Sequence, residues 1–177
     1  MIGRSLRLAR AAVVLLFVSG CVASAEEDGV LELPDRASFP LVADALERRC
    51  ATLDCHGTLT RNLRLYAGAG LRLDPADVSG SGSTTEAEYD ASYRSVAGIE
   101  PEAMSAVLLA NGSAPERLTL VRKARGLEDH HAGAILHAGD PADRCLTSWL
   151  APEIDEEACV LGAEVSAPPG WPGAEPP

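Results

Sequence analysis

Aromatic side chains are scarce in this sequence. Two Phe, three Tyr and two Trp in 177 residues are a thin supply for a core of domain size. Either an alanine- and leucine-rich interior or a bound apolar group has to make up the volume. Bases are outnumbered, 15 against 26 acids. A surface that negative repels phosphate backbones, which argues against nucleic-acid binding and leaves docking on basic partners open. No apolar run reaches the ~20 residues that a membrane-spanning helix needs. No G-x-S-x-G, H-E-x-x-H, P-loop or dinucleotide fingerprint occurs. Acid pairs such as Glu156–Glu157 fall in the acidic turn "PEIDEE", so no acid–base catalyst is expected.

What the first twenty residues do contain is a targeting pattern. Arg4, Arg7 and Arg10 precede the short apolar run "AAVVLLFV", and "VSGC" (Val18–Cys21) follows directly. This end of the run resembles a bacterial lipobox, which implies cleavage before Cys21 and a diacylglycerol on its sulfur. The alternative is an ordinary secretory signal cut near "ASA" (Ala23–Ala25). Removing residues 1–20 takes away three arginines and no acid, leaving 12 bases against 26 acids and a net charge of −14.

With Cys21 as an anchor, four cysteines remain: Cys50, Cys55, Cys145 and Cys159. An even set in an exported chain points to disulfides. Cys145 and Cys159 lie fourteen positions apart, and a bridge closing that loop contributes ~3 kcal/mol by chain entropy. Residues 1–20 are thus expected as a signal peptide and 21–37 as an acidic tether. Residues 38–162 form the single domain, and 163–177 a disordered tail rich in Pro and Gly. Within the domain, Ser38 opens a helix to about Arg49 with Phe39, Val42 and Leu46 on one face. "NLRLYAGAGLRLD" alternates about a glycine-rich bend, as a short β-hairpin does. Thr85 with Glu88, and Ser113 with Glu116, have capping-box spacing. The second box starts a helix to about Arg125. Pro101 and Asp140–Pro141 suit further helix starts, the last carrying Cys145, Leu146 and Trp149 inward.

"RRCATLDCHG" (48–57) brings two cysteines and a histidine together as C-x-x-x-x-C-H. Taken with "GLRLD" (Gly70–Asp74), a later histidine–glycine patch and a helix ending in Trp-Leu, it resembles the cytochrome c-like domains of secreted bacterial proteins, over about residues 39–150. The resemblance implies a mostly α fold: a small cytochrome c-like helical domain with a short β-hairpin, flanked by disordered termini. It implies one haem c joined through Cys50 and Cys55, with His56 as the proximal iron ligand. The family's H-x-G-G-like stretch matches "HHAGA" with His131 in register, Gly133 kept and Ala134 in place of the last glycine. His131 is then the distal ligand, giving bis-histidine iron of lower potential than His/Met iron. Such a protein carries electrons to a redox partner and does not convert a substrate.

Other readings stay open at this point. Cys50–Cys55 and Cys145–Cys159 could instead staple a haem-free envelope lipoprotein with a binding or structural role. His56 with His130 or His131 could hold a bare metal. Met104 is the only methionine after the signal; it lies among Ala103, Val107 and Leu108 as a core residue does. Arg61, Arg64 and Arg72 either meet haem propionates or face outward from the hairpin. His137 is expected at the surface. If Cys21 carries the lipid, Cys21→Ser will leave the membrane fraction or fail to mature; a Cys21→Ser protein that fractionates and is processed like the parent would exclude the anchor.

Overall fold

Apolar residues recurring at positions 39, 42, 45 and 46 make one face of a helix. The computed structural model, which describes residues 29–164, forms α1 over Phe39–Cys50 with these four side chains buried. Five more α-helices follow among the described residues: α2 (Glu86–Ala97), α3 (Pro101–Leu109), α4 (Thr119–Ala124), α5 (Pro141–Trp149) and α6 (Glu156–Glu164). All lie in one unit that begins at Leu31. The fold is mostly helical, as expected.

Local chemistry starts and stops these helices. Thr85 and Glu88 form the reciprocal capping box at α2. Asp140 accepts from Asp143 N at 2.8 Å to cap α5, with Pro141 in its first turn. Asn111 and Gly112, at φ 53° and 75°, end the turn after α3.

α1 packs on α5 and α6, and the Cys145–Cys159 disulfide ties those two helices together. Cys145, Leu146 and Trp149 all point inward. At the N-terminal end of α1, Phe39 meets Trp149 (ring centroids 5.2 Å) and Tyr93 (5.5 Å) in edge and tilted contacts. Three of the chain's few aromatics thus gather at one end of the core.

Three expectations are corrected. The helix from Ser113 to Arg125 is broken: Ala114 takes φ 53°, Pro115–Arg117 is a 3-10 turn, and α4 starts only at Thr119. Glu100 is the cause, since its carboxylate accepts from Thr119 N (2.7 Å) and Oγ1 (2.8 Å) and caps α4 from outside. The β-hairpin is absent among the described residues; only an isolated Tyr66–Leu71 bridge remains. Its backbone donors have other partners: Arg64 N and Tyr66 N go to Ser95 and Ser92 Oγ (2.8 Å each), and Gly68 N goes to Thr84 Oγ1 (2.9 Å). Helix α2 therefore takes the place of a second strand. Finally, "DEE" of the acidic turn opens α6, with Asp155 accepting from Ala158 N at 2.9 Å.

Residues of the expected tether also join the domain. Pro34 O accepts from Tyr93 Oη (2.8 Å), Asp35 O from Trp149 Nε1 (2.8 Å), and Arg36 pairs with Asp90 and Glu86. The signal peptide, Cys21 and residues 165–177 lie outside the described residues. Among those described, no helix is long and apolar enough to cross a membrane.

The loop after Tyr66 is pinned to α2 by a buried ion pair. Glu88 accepts from Arg72 Nε (2.8 Å), Leu73 N (3.0 Å) and Thr85 N (2.8 Å), and both charged side chains are nearly sealed from water. Burial alone would raise the Glu88 carboxyl; the Arg72 and backbone bonds outweigh it and hold it down at about 2, from an ordinary 4.5. A depressed carboxylate contributes stability that is fully present above its unfolded value and is lost as pH falls through the folded one. Stability should therefore fall as pH drops from about 4.5 toward 2. In Glu88→Gln that component should disappear, leaving Arg72 its longer pairing with Asp77 (3.4 Å) and its backbone partners Ser81 and Ser83, with a loss of stability read as a lower urea midpoint.

Candidate functional site

α1 ends at Cys50, and the next seven residues fold back on it. Cys55 N and Gly57 N both donate to Thr52 O (2.9 and 3.0 Å), and His56 N donates to Cys50 O (2.9 Å). The loop between the cysteines is thus closed by its own backbone, which returns Cys55 and His56 to the end of the helix. Two glycines make the closure sterically possible. A Cβ on Gly57 or on Gly70 would lie 2.0 Å from the Ala51 carbonyl oxygen. Leu65 N then donates to His56 O at 2.9 Å, drawing the "NLRL" segment against the loop.

The space beyond this loop is a cavity of about 350 Å³, within the size range of small-molecule sites. Leu46, Leu63, Leu65, Val96, Leu120 and Ile135 form its apolar wall, and no aromatic side chain lines it. Cys50 lies on the wall and His56 and His130 also line it. Arg61, Asn62, Glu100, Thr119 and Lys123 add polar groups.

The two histidines form a matched pair. Their ring centroids are 6.1 Å apart and their planes are 17° from parallel. His56 Nδ1 is bonded to Leu63 O at 3.1 Å and His130 Nδ1 to Gly133 O at 3.0 Å. A carbonyl oxygen only accepts, so Nδ1 carries a proton in both rings, and in the neutral imidazole Nε2 then keeps its lone pair. This is the arrangement that orients metal-binding imidazoles. Burial, with the nearby His130 and Arg61, lowers the basicity of His56 against the opposing bond to Leu63, which favours its neutral form.

His131, the residue expected opposite His56, is exposed and does not line the cavity. Its neighbour His130 does. The loop carrying His130 is held by α4: Lys123 Nζ donates to Asp129 O (2.7 Å), and Arg122 and Lys123 pair with Glu128 (2.9 and 3.2 Å). Sequence register could not separate two adjacent histidines; the acid at 128, within reach of Arg122 and Lys123, was the available signal. His137 is exposed. Met104 is buried in the core beside Val107, outside the cavity. Of the three arginines, Arg61 and Arg64 are both exposed, Arg61 at the edge of the cavity, and Arg72 belongs to the Glu88 pair.

Cys50 and Cys55 are free thiols, so the bridge of the stapled reading is not formed, whereas Cys145–Cys159 is. Burial pushes the Cys50 thiol up to about 12, the opposite direction from a reactive dithiol. Among the described residues no group of three or more His, Cys, Asp or Glu is arranged to hold a metal ion. Two imidazoles fall short of the four ligands of a bare structural ion. No family model, curated protein or solved structure matches the chain.

Because Gly57 and Gly70 abut one carbonyl, Gly57→Ala should displace the loop that carries Cys55 and His56. The expected result is a thermal midpoint several degrees lower, consistent with a loss of about 1–3 kcal/mol. Ala at the neighbouring Thr58 should be nearly neutral; equal midpoints for Gly57→Ala and the parent would show that the loop has room to spare.

Proposed function

We propose that this chain is a lipid-anchored electron-transfer protein of the bacterial cell envelope, similar to a c-type cytochrome, holding one covalent haem c. The observation that carries the reading is the cavity that Cys50, His56 and His130 line together, with the two imidazoles 6.1 Å apart, each Nδ1 bonded to a backbone carbonyl, and Cys50 unbonded. A haem bound there supplies reversible one-electron exchange at its iron.

The chain's own residues fit that group in several respects. Cys50 and Cys55 would hold the haem, each thiol adding its S–H across one vinyl group with no other product; Cys50 lines the cavity and Cys55 lies in the loop beside it. His56, adjacent to Cys55, would be one iron ligand, and His130, which lines the cavity where His131 does not, would be the other. Leu63 and Gly133 carbonyls keep both rings in the tautomer that leaves Nε2 for iron. The leucine-, valine- and isoleucine-lined wall excludes water from the ring faces. With both axial positions filled by protein, the site suits electron transfer and not substrate conversion. Two imidazoles also favour a lower potential than a histidine–methionine pair.

Cys21 is the proposed lipid attachment, with the domain facing the periplasm or the cell surface. The net charge of −14 after the signal favours a basic redox partner and disfavours nucleic acid.

The test is an absorption spectrum of the full chain made with a haem-maturation system. The Soret band should survive acid–acetone extraction, and the iron should be low-spin. His130→Ala should turn it high-spin, while His131→Ala and Met104→Ala leave it low-spin, the last at ~2–5 kcal/mol of stability. A colourless protein would exclude the haem. A low-spin spectrum retained in His130→Ala and lost in His131→Ala would return the assignment to His131.

A further inference from the structure

Helix α1 has a cavity end and a tether end, and exposed aliphatic side chains are found near each. It runs from Phe39, beside the pinned residues 34–36, to Cys50 on the cavity wall, a distance of about 17 Å at helical rise. Leu53 and Leu59 are exposed in the loops that follow Cys50. Val160 and Leu161 are exposed on α6 just before Gly162, whose carbonyl accepts from Arg49 at the same end of α1. These four side chains belong to the cavity end.

A second group is Leu31, Leu33 and Leu109. Glu32 N donates to Ser105 Oγ at 3.0 Å, so residues 31–33 lie along α3. Leu109, 72% exposed, is one turn past Ser105 on the same side of that helix. No residue of α3 lines the cavity. What distinguishes this group is its closeness to Cys21. Residues 34–36 are fixed to Tyr93, Trp149 and Asp90, and Glu32 to Ser105, so the tether's last residues are part of the domain. Ten peptide steps separate Cys21 from Leu31, a reach of at most ~36 Å. A domain tied this closely meets its own bilayer at an effective concentration of order millimolar. A contact too weak to hold in free solution then suffices. Glu32 and Glu102 are exposed beside the leucines, which suits zwitterionic headgroups and disfavours anionic ones.

We infer that Leu31, Leu33 and Leu109 form the surface on which the domain rests against the membrane, a face of zwitterionic lipid, with the cavity end turned away from it. The inference rests on the Cys21 anchor and deepens it.

The test uses the full, lipidated chain in vesicles of phosphatidylcholine whose acyl chains carry a diazirine. Illumination expels N2, and the carbene left behind inserts into a bond of whatever side chain it touches. Mass spectrometry of the digest locates the inserted lipid. Insertion at 31–33 follows from nearness to the anchor alone, so Leu109, seventy-eight residues farther along the chain, decides. Lipid should be found on Leu109 and not on Leu53, Leu59, Val160 or Leu161. It should be lost from Leu109 in Leu31→Ser/Leu33→Ser and kept in Leu53→Ser/Leu59→Ser. All four replaced leucines are exposed, so an unchanged thermal midpoint should show both variants folded. Insertion at the cavity end, none at Leu109, or undiminished insertion there in Leu31→Ser/Leu33→Ser overturns this surface while the anchor stands. A parent whose Cys21 carries no lipid overturns the anchor and this inference with it.

Discussion

The peptide between Ala51 and Thr52 has backbone packed against it from two directions. Gly57 closes from just after Cys55–His56 and Gly70 from the segment returning past Tyr66, and neither could carry a Cβ in place. This close approach fixes where α1 stops and where Cys55 and His56 come back to it. The rest of the site depends on it. His56 is aimed by Leu63 O, which is itself held because Leu65 N reaches the His56 carbonyl. One crowded carbonyl therefore links the helix, the thiol pair and the imidazole.

The two ends of α1 are built differently. At the N-terminal end, Phe39, Tyr93 and Trp149 pack against one another and the disulfide-tied α5–α6 pair covers the flank. At the C-terminal end, Leu46 and Cys50 face a cavity walled by aliphatic side chains with no aromatic among them. A small chain with seven aromatics has placed three of them where no ligand is needed. The scarcity that marks the composition is felt at the other end, where a flat apolar group would complete the packing. Arg36, Arg72, Arg122, Arg125 and Arg144 are paired with acids across the fold.

What could be read from sequence was what local chemistry decides. The face of α1, the Thr85–Glu88 box, the Asp140–Pro141 start and the inward Cys145, Leu146 and Trp149 all follow from spacing within a turn or two. The misread features depend on partners far along the chain. "NLRLYAGAGLRLD" alternates like a hairpin, but Ser92, Ser95 and Thr84 supply acceptors that a strand would otherwise provide. Glu100, nineteen residues upstream, restarts the helix at Thr119. Arg72 looked like an exposed strand residue and is buried on Glu88. The choice between His130 and His131 turns on which way a loop faces, and that is set by Arg122 and Lys123 gripping Glu128 and Asp129. The cysteine–histidine cluster was legible because its residues are contiguous; that His130 and not His131 lines the cavity beside it was not.

The most direct measurement is a peptide map of the full chain after expression with haem-attachment machinery. Trypsin cutting after Arg49 and Arg61 releases residues 50–61, which contain Cys50, Cys55 and His56. The expected peptide carries one haem and has no thiol that an alkylating reagent can modify, while Cys145 and Cys159 remain joined. A peptide 50–61 with both cysteines alkylated, or joined to each other in a disulfide, would contradict the account.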